Sequence, residues 1–265
     1  MTERAVVAEQ AVVGGAVPMV EIPGWREDFG VIAGLTTRGP KDQEFDLGLA
    51  SEQPTRAVLG RWDQLQDAFA GFGAIVVGRQ VHGREVRWHD RVNGWSIVRG
   101  VDGHATNVPG ILLAVSVADC VPIYVVDPVR RAIALLHSGW RGTAAGILQA
   151  GIDLLTSRAG SRPSDLVVHC GVAICGDCYQ VGSDVAGACG RPADGPTHLD
   201  LRGVIAEQAG GQGVGRVSVS PLCSAHMGDR FFSHRGSGGK AGRMIAFLGL
   251  EPSFEREVCR EPCEP

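Results

Sequence analysis

Three potential metal ligands each stand where an apolar, strand-like run of the sequence ends: His82 in IVVGRQVHG, Cys120 in LLAVSVADC and His137 in AIALLHSGWRG. Two imidazoles and one thiolate form a ligand set that suits Zn²⁺ and leaves a fourth position open. The pKa of a water bound at such a position falls to about 7. The irregular spacing is not that of a zinc finger, and each residue taken singly has an ordinary interpretation as a core histidine or a buried, inert cysteine.

Copper chemistry and cysteine chemistry are the two alternatives for this set. A blue-copper centre uses His₂Cys with an axial methionine. Multicopper oxidases add a trinuclear cluster built from H-x-H motifs, and the eight histidines of this chain include no H-x-H. Cu²⁺ would still compete with Zn²⁺ in vitro, because the affinity order favours copper. Alternatively, Cys120 and His137 could form a thiolate–imidazole pair that acts as a hydrolase nucleophile, a use that excludes metal binding by the same thiolate.

A second cysteine pattern lies further along the chain. Cys170, Cys175 and Cys178 have the spacing with which plant-type iron–sulfur sequences begin, and Cys189 or Cys223 could supply a fourth ligand. The ordinary interpretation is a glycine-rich turn that carries incidental cysteines. Eight cysteines in 265 residues are too few for a disulfide scaffold, so we expect reduced thiols.

A single mixed domain is expected to position these side chains. Apolar runs predict strands over 29–36, 74–77, 111–117, 166–170, 217–219 and 245–250, and a hairpin of 122–126 with 132–137. Helical spacing predicts helices over 55–72, 143–158 and 200–209, the last with Asp200 as its N-cap. We expect a loose arm with an entry strand over 1–25, the catalytic domain over 26–251 and a polar tail over 252–265.

Composition narrows the class of protein. The chain is 44% hydrophobic and 20% charged, which is enough apolar material for a packed core. Its net charge of −4 includes no basic stripe, so a nucleic-acid partner is not expected. No run of apolar residues is long enough to span a membrane, and the first residues do not resemble a signal peptide. We therefore expect a cytoplasmic protein without a membrane partner.

Several short motifs resemble the laccase-domain family, also called YfiH-like or multicopper polyphenol oxidoreductase-type, which includes purine nucleoside phosphorylases. The central motifs are QVHG at 80–83, ADC-x-P at 118–122 and H-x-GWRG at 137–142. Further similar motifs are TTRG at 36–39, VDGHAT at 101–106, CYQVG at 178–182, FFSHR at 231–235 and AGRM at 241–244. The resemblance extends over about residues 30–250.

The resemblance implies an α+β protein: one mixed αβ domain with mixed β-sheets flanked by helices, in the YfiH-like (toxin-deamidase-like) fold. It implies that His82, Cys120 and His137 bind Zn²⁺. The implied activity is phosphorolysis of adenosine, inosine, guanosine or methylthioadenosine, with adenosine deamination at the same site. Alternatives are a Cys–His hydrolase that acts in peptidoglycan editing and a copper-loaded, laccase-like polyphenol oxidase. The implied partners are a purine nucleoside and phosphate, and the implied assembly is a monomer or homodimer.

Further site residues follow from the same motifs. Asp119, beside Cys120, is the expected acid or base. Arginine holds phosphate through two parallel hydrogen bonds. The expected contacts to phosphate, ribose or base come from Arg38, Gln80, Arg141, Ser233, Arg235 and Arg243. Ordinary alternatives remain open: Arg38 could brace its turn, Arg141 could pair with Asp119, and Trp140 could be a core anchor rather than a stacking platform.

Overall fold

The computed structural model describes residues 4–49 and 53–252. Its strands are β1 (Ala5–Val6), β2 (Gln10–Ala11), β3 (Met19–Glu21), β4 (Val31–Thr36), β5 (Ala74–Arg79), β6 (Val86–Trp88), β7 (Gly94–Arg99), β8 (Gly103–Thr106), β9 (Ile111–Val117), β10 (Val121–Asp127), β11 (Ala132–Ser138), β12 (Val167–Cys170), β13 (Gln180–Val181), β14 (Thr197–His198), β15 (Arg216–Val219) and β16 (Met244–Leu250). Its helices are α1 (Trp25–Phe29), α2 (Thr55–Ala68), α3 (Trp140–Ala145), α4 (Ile147–Ala159), α5 (Ser183–Ala188) and α6 (Leu201–Gly211).

Two seven-stranded sheets carry the fold. The first has the order β1-β15-β12-β10-β11-β8-β6, the second has the order β2-β3-β4-β16-β9-β5-β7, and β13 pairs with β14 in a small ribbon. Both large sheets are mixed: β10 and β11 form an antiparallel hairpin, whereas β5 runs parallel to both β7 and β9. The prediction of one α+β domain with mixed sheets is therefore confirmed.

The two sheets pack face to face, with α3 to α6 on the outer side of the first sheet and α2 on the outer side of the second. On β10, Val121, Ile123 and Val125 pack with the apolar sides of α3 to α6, while Tyr124 and Val126 point to the second sheet. The opposite face of the second sheet packs against α2. Because both faces of the central strands are buried, their sequences are continuous apolar runs rather than alternating ones.

Most predicted elements are present, but one predicted helix is two. The helix expected over 143–158 is interrupted at Gly146, which has a φ of 80° and lies between α3 and α4. Glycine in this left-handed conformation ends a helix without the steric cost that a Cβ would add. Asp200 does precede α6, although its side chain makes no capping hydrogen bond to the helix.

The N-terminal segment is paired with both sheets. β3 is the entry strand that the sequence predicted, pairing with β4 in the second sheet. The rest of the segment was expected to be a loose arm; instead β1 pairs with β15 in the first sheet and β2 pairs with β3. The expected polar tail lies outside the described residues beyond Pro252. Among residues 4–49 and 53–252, none of the helices has the length and apolar character of a membrane span.

Candidate functional site

The three expected metal ligands meet where the two sheets adjoin. His82 lies in the loop that follows β5 of the second sheet, and His137 lies in β11 of the first. Cys120 lies where the chain passes from β9 of the second sheet to β10 of the first. Their ligand atoms all lie within 4.8 Å of one another. The two imidazole rings are 4.9 Å apart between centroids and nearly perpendicular, at 79°.

At two of these segments a residue in the left-handed backbone conformation directs the chain towards the site. His82 has a φ of 59°, and Asp119, immediately before Cys120, has a φ of 84°. Non-glycine residues adopt this region at a steric cost, so the surrounding structure must hold them there. The backbone amides of Val81, His82 and Gly83 donate to the carboxylate of Asp102 at 3.1, 2.9 and 2.8 Å. This carboxylate therefore fixes the His82 loop.

Asp102 also orients His137. The Nδ1 of His137 lies 2.9 Å from Oδ1 of Asp102. Burial works to raise the pKa of Asp102, but the hydrogen bonds from His137, Gly83 and Val81 outweigh it and lower the pKa to about 2. An ionised Asp102 accepts the Nδ1 proton and leaves Nε2 of His137 for a metal, which is the usual support of a metal-ligating histidine. Asp102 is the carboxylate of the VDGHAT motif, but its role depends on contacts with His137 and the His82 loop that the sequence alone does not reveal.

The electrostatics of the cluster favour the thiolate. Burial works to raise the pKa of the Cys120 thiol, but His137 and His82 lower that pKa to about 6. Burial works in the opposite direction on His137, yet Cys120 and Asp102 raise its pKa to about 9. The thiolate is the form of cysteine that binds metal.

Gly139 provides the space in which the ligands meet. A Cβ at this position would lie 3.1 Å from Sγ of Cys120 and 3.1 Å from Cδ2 of His82. A side chain there would displace one ligand or the other. The donor set, the anchored His137 ring and the absence of a Cβ at 139 together fit a metal ion held by three protein ligands.

The three ligands line a cleft with a volume of about 1300 Å³. Its charged lining is mostly cationic, since the acids there are Glu44, Asp46 and Asp119, whereas the cations are Arg79, Arg99, Arg141, Arg235, Lys240 and Arg243. An excess of positive charge in a cleft favours an anionic ligand. Arg79 and Arg99 are register partners on β5 and β7. This pair cannot be found from the sequence, because only the strand register brings the two residues together.

Arg141 and Gln80, two of the expected substrate contacts, line the cleft but differ in whether their polar groups already have protein partners. The guanidinium of Arg141 stacks on the Trp140 ring at 4.3 Å, and no hydrogen bond or ion pair within the described residues engages it. Trp140 packs partly against the core beside α4. The side-chain amide of Gln80 is already paired with the backbone of Ser116, donating to its oxygen at 2.8 Å and accepting from its nitrogen at 2.7 Å.

The other two expected cleft arginines also have protein partners. Arg235 donates from NH1 to the carbonyl oxygen of Gln180 at 2.8 Å, and its guanidinium lies 5.3 Å from the Tyr179 ring centre. Arg243 donates from NH1 to the carbonyl oxygens of Ala241 and Gly242 at 2.6 and 3.1 Å. Each guanidinium has five N–H donors, so both retain donors for a ligand.

Arg38 and Ser233 do not line this cleft. They line a smaller adjoining cavity of about 160 Å³. Arg38 donates to the carboxylate of Glu44 and to the carbonyl oxygen of Gly228, the latter at 2.6 Å. Ser233 is buried and accepts from the amide of Gly236 at 2.9 Å. These contacts match the alternative in which Arg38 braces its turn.

Asp119 faces the cleft with both carboxylate oxygens engaged. Oδ1 accepts from the hydroxyl of Ser224 and Oδ2 accepts from the backbone amide of Arg235, each at 2.6 Å. No ion pair joins Asp119 to Arg141 within the described residues. An ionised carboxylate has further lone pairs, so Asp119 can still accept a hydrogen bond from a ligand.

Comparison with known proteins identifies the family of this chain. Residues 33–251 match the family described as multi-copper polyphenol oxidoreductase laccase. The chain is 37% identical to a purine nucleoside phosphorylase of Deinococcus radiodurans, over 69% of this chain and 74% of the relative. It is 34% identical to adenosine deaminase RL5 of an unknown prokaryotic organism, over 58% of this chain and 63% of the relative.

A solved structure agrees with these sequence relatives. The crystal structure of YlmD from Geobacillus stearothermophilus matches with a TM-score of 0.82 and 31% identity, covering 92% of this chain and 99% of that one. The family match spans β5 to β16, the residues that line the cleft and all three expected metal ligands. The chain therefore belongs to the multi-copper polyphenol oxidoreductase laccase family, the laccase-domain or YfiH-like family that its motifs predicted.

Proposed function

We propose that this protein is a zinc-dependent purine nucleoside phosphorylase that also deaminates adenosine at the same site. Its proposed substrates are adenosine, inosine, guanosine and methylthioadenosine. The observation that carries the proposal is the meeting of His82, Cys120 and His137 in a cleft with a cationic lining. The names of two relatives, a purine nucleoside phosphorylase and an adenosine deaminase, support the two activities.

The three ligands would hold Zn²⁺ through one thiolate and two imidazoles. Zinc bound there would supply Lewis acidity to the cleft that these three ligands line. The axial ligand of a blue-copper site is usually methionine, and otherwise glutamine or a backbone oxygen. No methionine is among the described residues that line the cleft. Copper that binds in vitro would therefore lack the usual axial ligand of an electron-transfer centre.

The cationic lining would bind phosphate. In phosphorolysis a phosphate oxygen forms a bond to C1′ of the ribose as the bond from C1′ to the purine nitrogen breaks. Arg141 carries this role best among the expected residues, because its guanidinium stacks on Trp140 and has its N–H donors free within the described structure. Arg235 and Arg243 contribute the donors that their carbonyl partners leave unused.

Asp119 is the proposed acid or base for the purine. It lines the cleft beside Cys120, and its carboxylate is held by Ser224 and by the amide of Arg235. The purine nitrogen gains a proton as its bond to C1′ breaks; a protonated Asp119 would donate that proton and be left as the carboxylate that Ser224 and the Arg235 amide hold. Gln80 acts indirectly, since its amide is bound to Ser116 and holds the loop that leads to His82.

The decisive experiment combines metal analysis with product analysis. The protein is purified without added metal, bound zinc and copper are quantified, and adenosine is supplied with and without phosphate. We expect bound zinc, phosphate-dependent release of adenine with ribose 1-phosphate, and inosine formation that needs no phosphate. Adenine release that does not respond to phosphate would contradict phosphorolysis, and an absence of inosine would contradict deamination.

A Cys120→Ala variant separates metal catalysis from the Cys–His hydrolase alternative. Loss of metal at this site together with loss of both activities supports the proposal. A variant that phosphorolyses nucleosides at the wild-type rate would contradict the metal mechanism. The hydrolase alternative requires wild-type Cys120 to be metal-free and open to alkylation, with turnover of peptidoglycan fragments rather than nucleosides.

A further inference from the structure

A second group of metal-ligating side chains lies outside the cleft ligands. It consists of Cys175, Cys178, Cys223 and His226, whose ligand atoms all lie within 4.8 Å of one another. We call these four residues the Cys₃His cluster. All three of its cysteines are free thiols. The proposed reaction uses none of the four residues.

The cluster is built from two similar turns. Cys175 and Cys178 are separated by two residues, and so are Cys223 and His226. The first pair flanks a short 3₁₀ turn over Gly176–Cys178 that follows β12. The second pair is brought to it by a bridge between Ala173 and Cys223. Two such ligand pairs, each spaced by two residues, are typical of structural zinc sites.

The contacts at Cys223 favour its thiolate form. The Sγ of Cys223 accepts from the backbone amide of Cys175 at 3.3 Å and from that of His226 at 3.5 Å. Amide hydrogen bonds to sulfur stabilise its charged form. The His226 ring lies between two other sulfurs, with Nδ1 3.6 Å from Cys175 and Nε2 3.2 Å from Cys178. Either ring nitrogen can complete a set of four ligands.

We propose that the Cys₃His cluster is a second metal site, which binds Zn²⁺ in a closed tetrahedral shell. Three thiolates and one imidazole fill all four positions of zinc, so this ion would be structural rather than catalytic. Plant-type iron–sulfur clusters take four cysteines, and Cys170 is a buried residue of β12 that is not among the four ligands. The cysteine spacing that suggested an iron–sulfur site is therefore better explained by a zinc site that uses His226 in place of Cys170.

The second site is joined to the wall of the cleft. Ser224, between Cys223 and His226, donates its hydroxyl to Oδ1 of Asp119 at 2.6 Å. Ile174, next to Cys175, donates its amide to the carbonyl oxygen of Asp119 at 3.1 Å. Both turns of the Cys₃His cluster thus hold the residue whose left-handed backbone presents Cys120. A metal ion that ties the two turns together would stabilise this segment.

Metal counting on the full chain tests the proposal independently of the proposed function. Wild-type protein, purified without chelator, should contain about two zinc ions per chain. Cys120→Ala should keep about one, because only the cleft site is lost. Cys178→Ser should lose zinc from the second site and melt at a lower temperature. The matched control is Cys189→Ala, which removes a buried cysteine outside both sites and should keep the wild-type zinc content.

A spectroscopic measurement keeps the test valid if Cys178→Ser does not fold. Cobalt substituted into Cys120→Ala should show the thiolate-to-cobalt charge transfer of a tetrahedral site rich in sulfur. A metal-free Cys120→Ala variant, iron with the absorption of an iron–sulfur cluster, or a Cys175–Cys178 disulfide in freshly purified protein would each overturn the proposal. A Cys120→Ala variant that keeps zinc but lacks nucleoside turnover would support this proposal and the metal mechanism separately.

Discussion

At the scale of single residues, Asp102 links two of the three cleft ligands. One oxygen faces Nδ1 of His137, and the same carboxylate binds the amides of the loop that carries His82. A carboxylate that orients a metal-ligating histidine also raises its basicity, and losing it costs about 10- to 100-fold in metal affinity. Asp102 is therefore expected to matter for metal binding without touching the metal.

Asp102→Asn should weaken zinc binding at the cleft by about 10- to 100-fold. The amide keeps the shape of the side chain but presents an N–H₂ group where three backbone amides and an imidazole donate. Competition with a chelating dye measures the change in affinity. Asp90→Asn, which alters an exposed carboxylate bound to Arg158 and Trp88, is the matched control and should bind zinc as the wild type does. Wild-type affinity in Asp102→Asn would contradict the orienting role.

Arg141→Ala should raise the KM for phosphate by about tenfold or more, because hydrogen bonds to charged groups contribute about 1.5–3 kcal/mol. The KM for nucleoside should change much less. Initial rates at varied phosphate and varied nucleoside separate the two constants. Arg158→Ala is the matched control, since Arg158 also faces a tryptophan, Trp88, but lies on the outer surface. Equal increases of both KM values in Arg141→Ala would contradict phosphate binding.

Residue types predicted the ligands but not their supports. Histidine and cysteine are common metal ligands, and His82, Cys120 and His137 each lie within a family motif. Asp102 and Gly139 act through contacts between segments far apart in the sequence, and such contacts leave no spacing to detect. Arg38 is the opposite case. Its TTRG motif predicted a contact with the substrate, but its guanidinium is bound to Glu44 and to the carbonyl oxygen of Gly228.

At the scale of secondary-structure elements, the junction between β11 and α3 shapes the metal centre. Gly139 lies between His137 of the strand and Trp140, the first residue of the helix. Its φ of −80° suits any residue, so the need for glycine is one of space rather than of backbone conformation. The Sγ of Cys120 and the ring of His82 occupy the space in front of it.

Gly139→Ala should therefore weaken metal binding more than it weakens the fold. The added methyl group would press on two ligands at 3.1 Å, and overpacking of this kind costs about 1–3 kcal/mol. Zinc affinity and the melting temperature of metal-depleted protein report the two effects separately. Gly187→Ala in α5 is the matched control, because a Cβ there meets nothing within 4 Å. A Gly139→Ala protein with normal zinc affinity would contradict this account.

Long apolar runs predicted their elements well, and short polar strands were missed. β9, β10 and β11 are buried on both faces, so their sequences alone identify them. β7 is largely exposed, and its pairing with β5 defines it rather than its hydrophobicity. The break at Gly146 was overlooked because the apolar spacing continues through it, although a single glycine in the left-handed conformation is enough to end α3.

At the scale of the whole molecule, the N-terminal segment joins the two sheets through a buried carboxylate. Glu9 lies between β1 of the first sheet and β2 of the second. Its Oε1 faces Nε2 of His169 at 3.2 Å and accepts from the amide of Val172 at 3.0 Å. Its Oε2 accepts from the hydroxyl of Ser220 at 2.6 Å. The sequence of this segment has only weak hydrophobic periodicity, so it did not predict that Glu9 would join the two sheets. That role depends on the polar contacts of Glu9 with His169, Val172 and Ser220.

Burial works to raise the pKa of Glu9, but the hydrogen bond and charge of His169 and the hydroxyl of Ser220 outweigh it and lower the pKa from its ordinary value of 4.5. A carboxyl group whose pKa is lower in the folded state stabilises the fold above its unfolded pKa. That stabilisation is lost as the pH falls through the folded pKa. The contribution of Glu9 should therefore be complete at neutral pH and decline in acid below its ordinary value.

Glu9→Gln should lower the free energy of unfolding by about 1–3 kcal/mol at neutral pH, because it leaves buried partners without a charged acceptor. Urea unfolding followed by the intrinsic fluorescence of the five tryptophans measures this difference, and one of them, Trp25, packs edge-on against His169 with ring centroids 6.1 Å apart. The difference between wild type and variant should shrink as the pH falls below 4.5. Glu27→Gln, an exposed change in α1, is the matched control and should unfold as the wild type does. A Glu9→Gln difference that stays constant from neutral to acid pH would show that its origin is packing rather than the ionised carboxylate.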